Sequence, residues 1–457
     1  MGEENELTRA LKEKDLAYLL HPLVPLGNHE ANGPLVFLRG EGCWLYDSEG
    51  RDYVDATAGL WNCQLGHGRK DVARAVAEQM ERLAYLTTFG GLASDTIIAW
   101  AEKLASHLPG DLTRVFPNVI GSEANETAFK IARTYHSLRG RQGKFKTVSH
   151  SRSYHGVSMG TVGATGLPDY WRRYLPLPGN NLHVPAPHCY RCPYGRSYPA
   201  CDLLCADVLE QLIVAEDPDT ISTFIAEPVM GGGGIVIAPG EYFPRVRQIC
   251  DKYDVLYVDD EVITGFGRTG KWFALEHWGV VPDIVTMGKG MTAGYLPMFA
   301  TAISQRIYRV LADANETLYQ GFTYTGQPAI AAAALKVMQI LDEERVVERA
   351  ASTATLFARH LHSLLEYPWV GEVRNLGLLG GVEFVADRQT RAYFPAERRF
   401  GPTLLAALRR HGVITRVTKH EIMALCPPLT IGEADLAELF RRIRSAIEEV
   451  GGAVATS

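Results

Sequence analysis

The segment VDDEVITGFGRTG, residues 258–270, decides the fold of this 457-residue chain. It continues a short apolar, β-rich run that begins at Leu256 and ends abruptly in the acids DDE. Such a run is typical of a buried strand that delivers a carboxylate at its carboxyl end, the edge at which open α/β sheets bind ligands. Side chains alternate along a strand, so we expect Asp260 to face one side of the sheet and Asp259 and Glu261 the other.

A second apolar run, IVT at residues 284–286, leads into the sequence MGKGM. This run places Lys289, between two glycines, at the end of the next predicted strand. An amine that condenses with an aldehyde, together with an acid that keeps a ring nitrogen protonated, is what the chemistry of pyridoxal phosphate (PLP) needs. Lys289 and Asp260 are therefore the candidate catalytic residues.

The order of predicted elements favours an α/β fold. Between about residues 94 and 325, helical and β-type apolar segments alternate, which is typical of a mostly parallel sheet flanked by helices. No internal repeat of solenoid length interrupts this order. We predict an N-terminal segment at residues 1–60, a large domain at residues 61–328 and a smaller α+β domain at residues 329–457.

Composition excludes several classes of protein. Hydrophobic residues make up 46% of the chain, which can bury a large core, and a net charge of −6 gives no reason to expect nucleic acid as a partner. The first fifteen residues are charged and acidic, unlike a targeting leader, and no apolar run reaches the roughly 18 residues that a membrane span requires. We expect a cytoplasmic protein that binds no membrane.

Four of the eight cysteines cluster between residues 188 and 205 with the spacing C-x2-C-x8-C-x3-C. Four thiolates at such spacing can close a tetrahedral zinc site. The other interpretation is a surface excursion with free thiols, because a reducing cytosol does not sustain disulfides. We predict free thiols and no metal at Cys189, Cys192, Cys201 and Cys205.

Together with GSEAN at residues 121–125, the two strand-end motifs resemble the class III aminotransferases, also called ω-transaminases, of PLP fold type I. The resemblance runs from about Leu45 to Ile431. It implies a smaller domain built from both ends of the chain, with the N-terminal segment packed against it. Some members acting on taurine, β-alanine or amines carry a similar CYRCPYG insertion, which implies no metal.

The resemblance implies how the chain holds PLP. Lys289 would be the Schiff-base lysine and the proton shuttle of transamination. The family pattern Asp-Glu-Val matches Asp260, Glu261 and Val262, so Asp260 would pair with the ring nitrogen and Val262 would pack against one ring face. Asp259 is then the extra acid of the DDE run.

Other motifs imply further contacts. Gly121 and Ser122 open a predicted helix, whose free N–H groups, hydroxyl and dipole suit a phosphate, although an ordinary N-cap serine has the same sequence signature. Tyr154, in SYHG, would stack on the other ring face unless it is a plain core aromatic. Glu227 would form hydrogen bonds on the side of the cofactor's phenolic oxygen.

The segment GFTYTGQP, residues 321–328, resembles the segment through which one subunit lends a threonine to its neighbour's phosphate site. The resemblance implies that Phe322 and Thr323 complete the active site of a partner subunit. The family pattern has serine and histidine where this chain has Thr325 and Gln327, and neither change removes the Thr323 hydroxyl. The implied assembly is a homodimer, or a higher oligomer, with shared active sites.

Three residues are candidates for the substrate side. Trp61, in AGLWN, matches an aromatic wall of amine:pyruvate transaminases, and Tyr154 would border the same space. Arg416 matches a mobile arginine that binds a substrate carboxylate and swings away for an apolar amine. The plain alternatives are a core tryptophan and a surface ion pair. Val157 and Ser158 replace an arginine-containing pattern of ornithine and γ-aminobutyrate transaminases, which argues against that branch.

The predicted function is therefore amino transfer from an ω-amino acid or amine to a keto acid, with pyruvate as the acceptor, by a ping-pong mechanism. A decarboxylase or an aminomutase on the same scaffold is the alternative, because cofactor motifs do not decide which bond at Cα breaks. A PLP-binding protein without turnover is disfavoured by the complete set of Lys289, Asp260, Ser122 and Thr323. No G-x-G-x-x-G motif follows an early strand, which argues against a dinucleotide oxidoreductase.

Overall fold

The computed structural model describes residues 4–455. The described α-helices are α1 (Glu6–Tyr18), α2 (Leu26–Asn32), α3 (Ala58–Trp61), α4 (Lys70–Arg82), α5 (Asp95–Ala105), α6 (Gly121–Leu138), α7 (Leu204–Ala215), α8 (Tyr242–Lys252), α9 (Gln305–Asp313), α10 (Pro328–Glu343), α11 (Val346–Ser363), α12 (Phe400–Arg410) and α13 (Glu433–Ala455). The described β-strands are β1 (Phe37–Glu41), β2 (Trp44–Asp47), β3 (Asp52–Asp55), β4 (Arg114–Asn118), β5 (Lys146–His150), β6 (Asn181–Val184), β7 (Ile221–Ala226), β8 (Val229–Met230), β9 (Val236–Ile237), β10 (Leu256–Glu261), β11 (Ile284–Met287), β12 (Phe299–Ile303), β13 (Val370–Leu376), β14 (Leu379–Phe384), β15 (Val413–Ile414), β16 (Arg416–Val417) and β17 (Ile422–Leu425).

A seven-stranded sheet of order β4-β12-β11-β10-β7-β5-β6 forms the centre of the molecule. Its pairs are parallel except where β12 runs antiparallel to β11 and β4. Strands β7, β10 and β11 are buried at every position, as expected when helices cover both faces of a parallel sheet. The predicted α/β fold with a mostly parallel sheet is confirmed.

The register of this sheet brings the two decisive motifs to one edge. Strands β10 and β11 run parallel, with Asp260 paired to Thr286 and Glu261 paired to Met287. The loop that carries Lys289 therefore leaves the sheet beside the acidic end of β10. Helix α6 begins at Gly121, three residues after β4 ends, which brings its first turn to the neighbouring edge. The sheet thus supplies one common rim for the site.

Both ends of the chain contribute to one smaller sheet. Strands β1, β2 and β3 form an antiparallel meander, and β15 adds to it in parallel, with Val413 paired to Val54. A second antiparallel sheet has the order β13-β14-β17-β16. The division at residues 60 and 328 remains a prediction, and the pairing of β15 with β3 supports it.

Small side chains allow the helices to pack closely. Helix α10 buries Ala331, Ala333 and Ala334 within the largest hydrophobic cluster, which also holds Trp100 of α5. Fully burying a large apolar side chain contributes about 1.5–3 kcal/mol, so this cluster is a main source of stability. No helix among residues 4–455 is long and apolar enough to cross a membrane.

Two residues of types that often mark helix ends do not do so here. Asp71 does not cap α4, because Arg69 holds that position and Asp71 lies in the first turn, where an acid still favours the helix dipole. Gly451 does not end α13, which continues to Ala455. A Cβ on Gly451 would lie 2.1 Å from the Trp369 ring, so this glycine serves close packing rather than a helix end.

Candidate active site

A cavity of about 760 Å³ opens at the rim where β10, β11 and the first turn of α6 meet. Loops that follow β5, β7 and β16 close its other sides. Nine of the eleven predicted site residues line it: Trp61, Gly121, Ser122, Tyr154, Glu227, Asp260, Val262, Lys289 and Arg416. The tertiary structure therefore gathers residues that are more than 350 positions apart in the sequence.

The carboxylate of Asp260 is held by a buried hydrogen-bond network. Its Oδ2 atom accepts from the side-chain amide of Asn125 at 2.9 Å and lies 2.8 Å from Nδ1 of His155. Its Oδ1 atom accepts from the backbone N–H of Val262 at 3.2 Å. Asn125 is itself fixed, because it accepts from the Thr286 hydroxyl at 2.7 Å. These contacts orient the carboxylate toward the cavity.

Sequence reasoning missed the roles of Asn125 and His155. Both residues lie inside quoted motifs, GSEAN and SYHG, but the sequence does not show that they meet the end of β10. His155 is 1% exposed, and its Nε2 atom has no hydrogen-bond partner among the described residues. Spacing alone could not have revealed this, because the contacts join residues that are 105 and 135 positions apart.

The two neighbouring acids of the DDE run point away from the cavity, as the strand period predicts. Glu261 accepts from the backbone N–H of Leu275 at 2.8 Å and from the Thr264 hydroxyl. Burial raises the pKa of Glu261 to about 7 and raises that of Asp259 well above its usual range. Asp260 is thus the only acid of the run that borders the cavity.

Lys289 follows β11 in the left-handed region, with φ 44°. Its Nζ atom lies 5.3 Å from the centroid of the Trp61 ring and donates no hydrogen bond within residues 4–455. Burial lowers the pKa of the amine to about 8, against the opposing pull of the Asp260 and Glu227 carboxylates. An amine in this state is available as a base and as a nucleophile near neutral pH.

Both glycines beside Lys289 are required by close approach. A Cβ on Gly288 would lie 1.9 Å from the ring of Phe299, and a Cβ on Gly290 would lie 2.0 Å from the side-chain amide of Gln64. A larger residue at either position would push the loop away from the rim. The sequence GKG thus places the lysine by excluding side chains on both sides of it.

The first turn of α6 forms a cradle of N–H groups and a hydroxyl. Ser122 does not cap the helix, because Ile120 occupies the cap position, and Ser122 lies inside the first turn. The Ser122 hydroxyl accepts from the backbone N–H of Val157 at 3.1 Å. A Cβ on Gly156 would lie 2.4 Å from that hydroxyl oxygen, so the two loops approach closely. A helix start of this kind suits an anion.

Tyr154 and Glu227 meet at the opposite wall. The backbone N–H of Tyr154 donates to Glu227 at 2.8 Å, and that of Gly231 donates to the other carboxylate oxygen at 3.1 Å. Burial raises the pKa of Glu227 to about 7 and that of Tyr154 to about 12, so the phenol stays neutral. The Tyr154 ring packs edge-on against Tyr170, with centroids 5.3 Å apart.

The Trp61 ring lies close to two cations. The guanidinium of Arg416 is 5.3 Å from its ring centroid, the same separation as the amine of Lys289. Both separations fall within the range of a cation–π interaction. Trp61 is buried yet takes a positive φ of 60°, a strained backbone for a bulky residue. Arg416 forms no ion pair with a carboxylate of the described residues, so the surface ion-pair interpretation does not describe it.

Two predicted site residues lie outside the cavity of their own chain. Thr323 is exposed, and its carbonyl oxygen accepts from the Tyr85 hydroxyl at 2.7 Å. Phe322 is held by its backbone N–H, which donates to the Thr325 hydroxyl at 3.0 Å. Large hydrophobic side chains are exposed on the two segments involved, 83–92 and 319–324.

The four clustered cysteines form no disulfide in the described part of the chain. They line one small cavity of about 20 Å³, but no three of their sulfur atoms converge to metal-binding distance in the described part of the chain. Burial raises the pKa of Cys189, and it raises that of Cys205 to about 12, which favours the protonated thiol over the thiolate that binds metal.

The cavity residues fit PLP. An amine free of hydrogen bonds to described residues, Lys289, stands beside a carboxylate whose direction is fixed, Asp260. The first turn of α6 provides donors for a phosphate, and Tyr154 and Val262 border the space that lies between them and the amine. Each chemical group of the cofactor thus has a counterpart of suitable charge and polarity.

Comparison with known proteins agrees with this geometry. The family model for class-III aminotransferases matches residues 26–447. The (S)-enantioselective omega-transaminase from Thermomicrobium roseum is 43% identical, with a TM-score of 0.94 over 98% of this chain and 100% of that one. The omega transaminase from Pseudomonas jessenii, solved in complex with PMP, is 37% identical, with a TM-score of 0.94 over 97% of this chain and 99% of that one.

A further relative is the putrescine–pyruvate aminotransferase of Pseudomonas aeruginosa, which is 32% identical over 98% of both chains. The family match covers most of the chain, and the solved structures share its fold from end to end. Members of this family use PLP, for which the cavity has the required groups. The protein therefore belongs to the class III aminotransferases and is a PLP-dependent enzyme of the ω-transaminase type.

Proposed function

We propose that the protein transfers an amino group from an ω-amino acid or amine to pyruvate by a ping-pong mechanism. The observation that carries this proposal is the position of Arg416, which borders the same cavity as Lys289 with no carboxylate partner among residues 4–455. Such a guanidinium suits the carboxylate of a keto acid. The name of the Pseudomonas aeruginosa relative, a putrescine–pyruvate aminotransferase, supports both halves of the proposal.

PLP, when bound, supplies an aldehyde that takes up the amino group and a ring that accepts electrons from Cα of the substrate. Lys289 would carry a proton between Cα of the substrate and C4′ of the cofactor. Its lowered pKa of about 8 suits both directions of this transfer. Asp260, oriented by Asn125 and His155, holds the proton on the ring nitrogen.

Other residues of the chain bind and orient. Gly121 and Ser122, at the start of α6, would hold the phosphate, and Tyr154 and Val262, which border the same cavity, would pack against the ring. Glu227, with its pKa raised to about 7, would hold the cofactor by a hydrogen bond on the side of its phenolic oxygen. The same set serves both half-reactions, which is the requirement of a ping-pong mechanism.

Arg416 and Trp61 divide the substrate space. In the acceptor half-reaction Arg416 binds the carboxylate of pyruvate. In the donor half-reaction an amine without a carboxylate needs an apolar wall, and the Trp61 ring provides one while it also bears the Arg416 cation on its face. One cavity can thus accept both kinds of substrate if the arginine moves.

The active assembly in this proposal is a homodimer. Phe322 and Thr323 lie on an exposed surface outside their own cavity, beside exposed Tyr85 and Phe89. Burying these side chains against a second copy would remove apolar area from water. Each Å² of apolar area that is buried stabilises the dimer by about 25 cal/mol. It would also bring the Thr323 hydroxyl to the partner's phosphate site, as the sequence motif implies.

Amino-donor and acceptor assays test this function. With the holoenzyme, 1-phenylethylamine, putrescine, β-alanine, taurine and γ-aminobutyrate are offered in turn with pyruvate or 2-oxoglutarate. We expect alanine to form from pyruvate with at least one amine or ω-amino acid, without release of CO₂. A strong preference for 2-oxoglutarate would contradict the choice of acceptor. Release of CO₂, or amine migration without an acceptor, would favour the decarboxylase or aminomutase alternative.

Arg416→Ala is expected to raise the KM for pyruvate by about 10- to 100-fold, because a charge-assisted hydrogen bond contributes about 1.5–3 kcal/mol and each 1.4 kcal/mol is a factor of ten. The KM for 1-phenylethylamine, which has no carboxylate, should change little. Initial rates at varied concentrations of each substrate measure both constants. Arg410→Ala, which removes an exposed arginine paired with Glu449, is the control. Equal effects on both substrates would contradict the proposed role.

The rate at which the apoenzyme takes up PLP is expected to depend on the protonation of Lys289. Only the neutral amine attacks an aldehyde, and the pKa of this lysine is lowered to about 8 by burial. Protonation disfavours the attack below that pKa, so the rate should rise about tenfold between about pH 7 and pH 9 and then level off. Stopped-flow absorbance after mixing apoenzyme with PLP measures it. If the pKa of Lys289 were not lowered, the rate would still rise about tenfold per pH unit at pH 9.

A further inference from the structure

Helix α1, helix α2 and the linker between them bring one carboxylate and two imidazoles together. Nε2 of His21 lies 2.7 Å from Oδ2 of Asp15, and Nε2 of His29 lies 2.8 Å from Oδ1. The two imidazole rings are 4.3 Å apart between centroids. All three potential ligand atoms lie within 4.8 Å of one another.

Local structure builds this cluster. Asp15 lies in the last turn of α1, His21 in the linker, and His29 in α2. The last hydrogen bond of α1 runs from the N–H of Leu19 to the carbonyl of Asp15 at 2.9 Å, and the helix ends at Leu19 because the backbone of that residue is extended. The side chains of the cluster are 13%, 30% and 11% exposed, so they are held in place but remain accessible from solvent.

We propose that Asp15, His21 and His29 bind a divalent first-row transition ion, with Zn²⁺ as the expected occupant. Two imidazole nitrogens and one carboxylate oxygen suit Zn²⁺, whereas Mg²⁺ and Ca²⁺ prefer oxygen ligands alone. Three protein ligands leave the fourth tetrahedral position for water. This site lies outside the PLP machinery, and the proposal does not rest on the proposed function.

The geometry needs only a small adjustment to receive the ion. Bonds of about 2.1 Å to a tetrahedral ion hold its ligand atoms about 3.4 Å apart. The two histidines contact different oxygens of Asp15, at 2.7 and 2.8 Å, and one of these oxygens would bind the ion. The separation between that oxygen and its histidine must open by about 0.6 Å, and the other histidine must bring its Nε2 atom to about 3.4 Å from the same oxygen. Each histidine would bind through Nε2 in the tautomer that carries its proton on Nδ1.

Charge distinguishes this cluster from the other one that the described residues contain. His188, Glu372 and Glu383 also converge, but Arg374 pairs with both carboxylates and Arg191 pairs with Glu383. Guanidinium groups already occupy the space where a cation would bind. Asp15, by contrast, pairs with no lysine or arginine of residues 4–455.

The bound ion would fix the position of Leu23, a residue that lines the PLP-site cavity. Leu23, in the same loop, lines the PLP-site cavity while 73% of its surface is exposed, and it takes a positive φ of 58°. That backbone conformation is strained in a bulky residue and needs support from its surroundings. A metal that joins α1, the linker and α2 would fix Leu23 in this position.

Isothermal titration of the metal-stripped holoenzyme with ZnCl₂ tests the site. We expect one Zn²⁺ per chain. Because loss of even an outer-shell partner weakens metal sites by about 10- to 100-fold, His21→Gln and His29→Gln should each weaken binding by at least about tenfold. His411→Gln, at a single histidine–carboxylate pair with Glu449, should leave binding unchanged.

The clustered cysteines are the competing binder, and two measurements separate them. A Cys192→Ser/Cys201→Ser double variant should keep the Zn²⁺, and Co²⁺ bound in place of Zn²⁺ should show no thiolate-to-metal charge-transfer band. Zn²⁺ should also slow proteolysis between Leu19 and Pro25 in the parent protein but not in His29→Gln. The proposal is overturned by absent binding, by binding lost in the cysteine variant, or by binding that survives both histidine substitutions.

Discussion

Lys289→Ala is expected to slow transamination by at least about a thousandfold, because general acid–base catalysis alone contributes about 10²–10⁴ and the variant also loses the covalent anchor for PLP. The amine has no replacement nearby. Among the described residues, Lys419 also borders the cavity, but it is paired with Asp169 at 3.0 Å. Alanine formation from pyruvate, followed at saturating amine, measures the loss.

A mass measurement shows whether the loss has the proposed cause. Borohydride makes a bond between lysine and PLP permanent, so the parent protein should yield one labelled peptide that contains Lys289. The variant should yield none. Lys271→Ala, which removes an exposed lysine, should keep both the label and the activity. Label on another lysine of the parent protein would refute the assignment, whatever the activity of the variant.

Asp260→Asn is expected to lower kcat by about 10²–10³, the usual loss when one preorganised electrostatic partner of a transition state is removed. An amide is similar in size and keeps a hydrogen bond, but it carries no negative charge to hold a proton on the ring nitrogen. PLP should remain attached to Lys289, so borohydride labelling persists while turnover falls. The comparison thus separates cofactor binding from catalysis.

The neighbouring acid gives a matched control on the same strand. Burial raises the pKa of Asp259 well above its usual range, which favours the neutral acid, and an amide resembles the neutral acid in charge and shape. Asp259→Asn should therefore retain near-parental kcat. If Asp259→Asn lost as much activity as Asp260→Asn, the alternation of β10 would not explain which acid acts.

Much of the site follows from local sequence. The strand period is a property of the backbone, so the run LYVDDE was sufficient to predict that Asp260 and Asp259 face opposite sides. In this case the deciding interaction lies within the motif itself. The close approach of Gly288 to Phe299 and of Gly290 to Gln64 joins the Lys289 loop to residues outside its motif, so it belongs to the tertiary structure.

Other features depend on contacts between distant segments. Asn125 and His155 hold Asp260 only because α6 and the loop after β5 pack against the end of β10. Glycine often ends a helix, but at Gly451 the ring of Trp369 is what excludes a side chain. The local sequence does not show whether a glycine ends a helix or makes room for a neighbouring ring, because glycine suits both.

The sequence by itself determined the class of fold and was sufficient to propose the cofactor amine and the acid that serves it, because strand periodicity and short motifs act over a few residues. Only the tertiary structure decided which neighbours orient that acid, that Trp61 lies close to two cations, and that Leu23, from the loop of the Asp15 cluster, lines the cavity. Such contacts come from packing, because the burial of apolar surface joins segments that lie far apart along the chain. The local sequence of either segment does not show which distant segment it will contact.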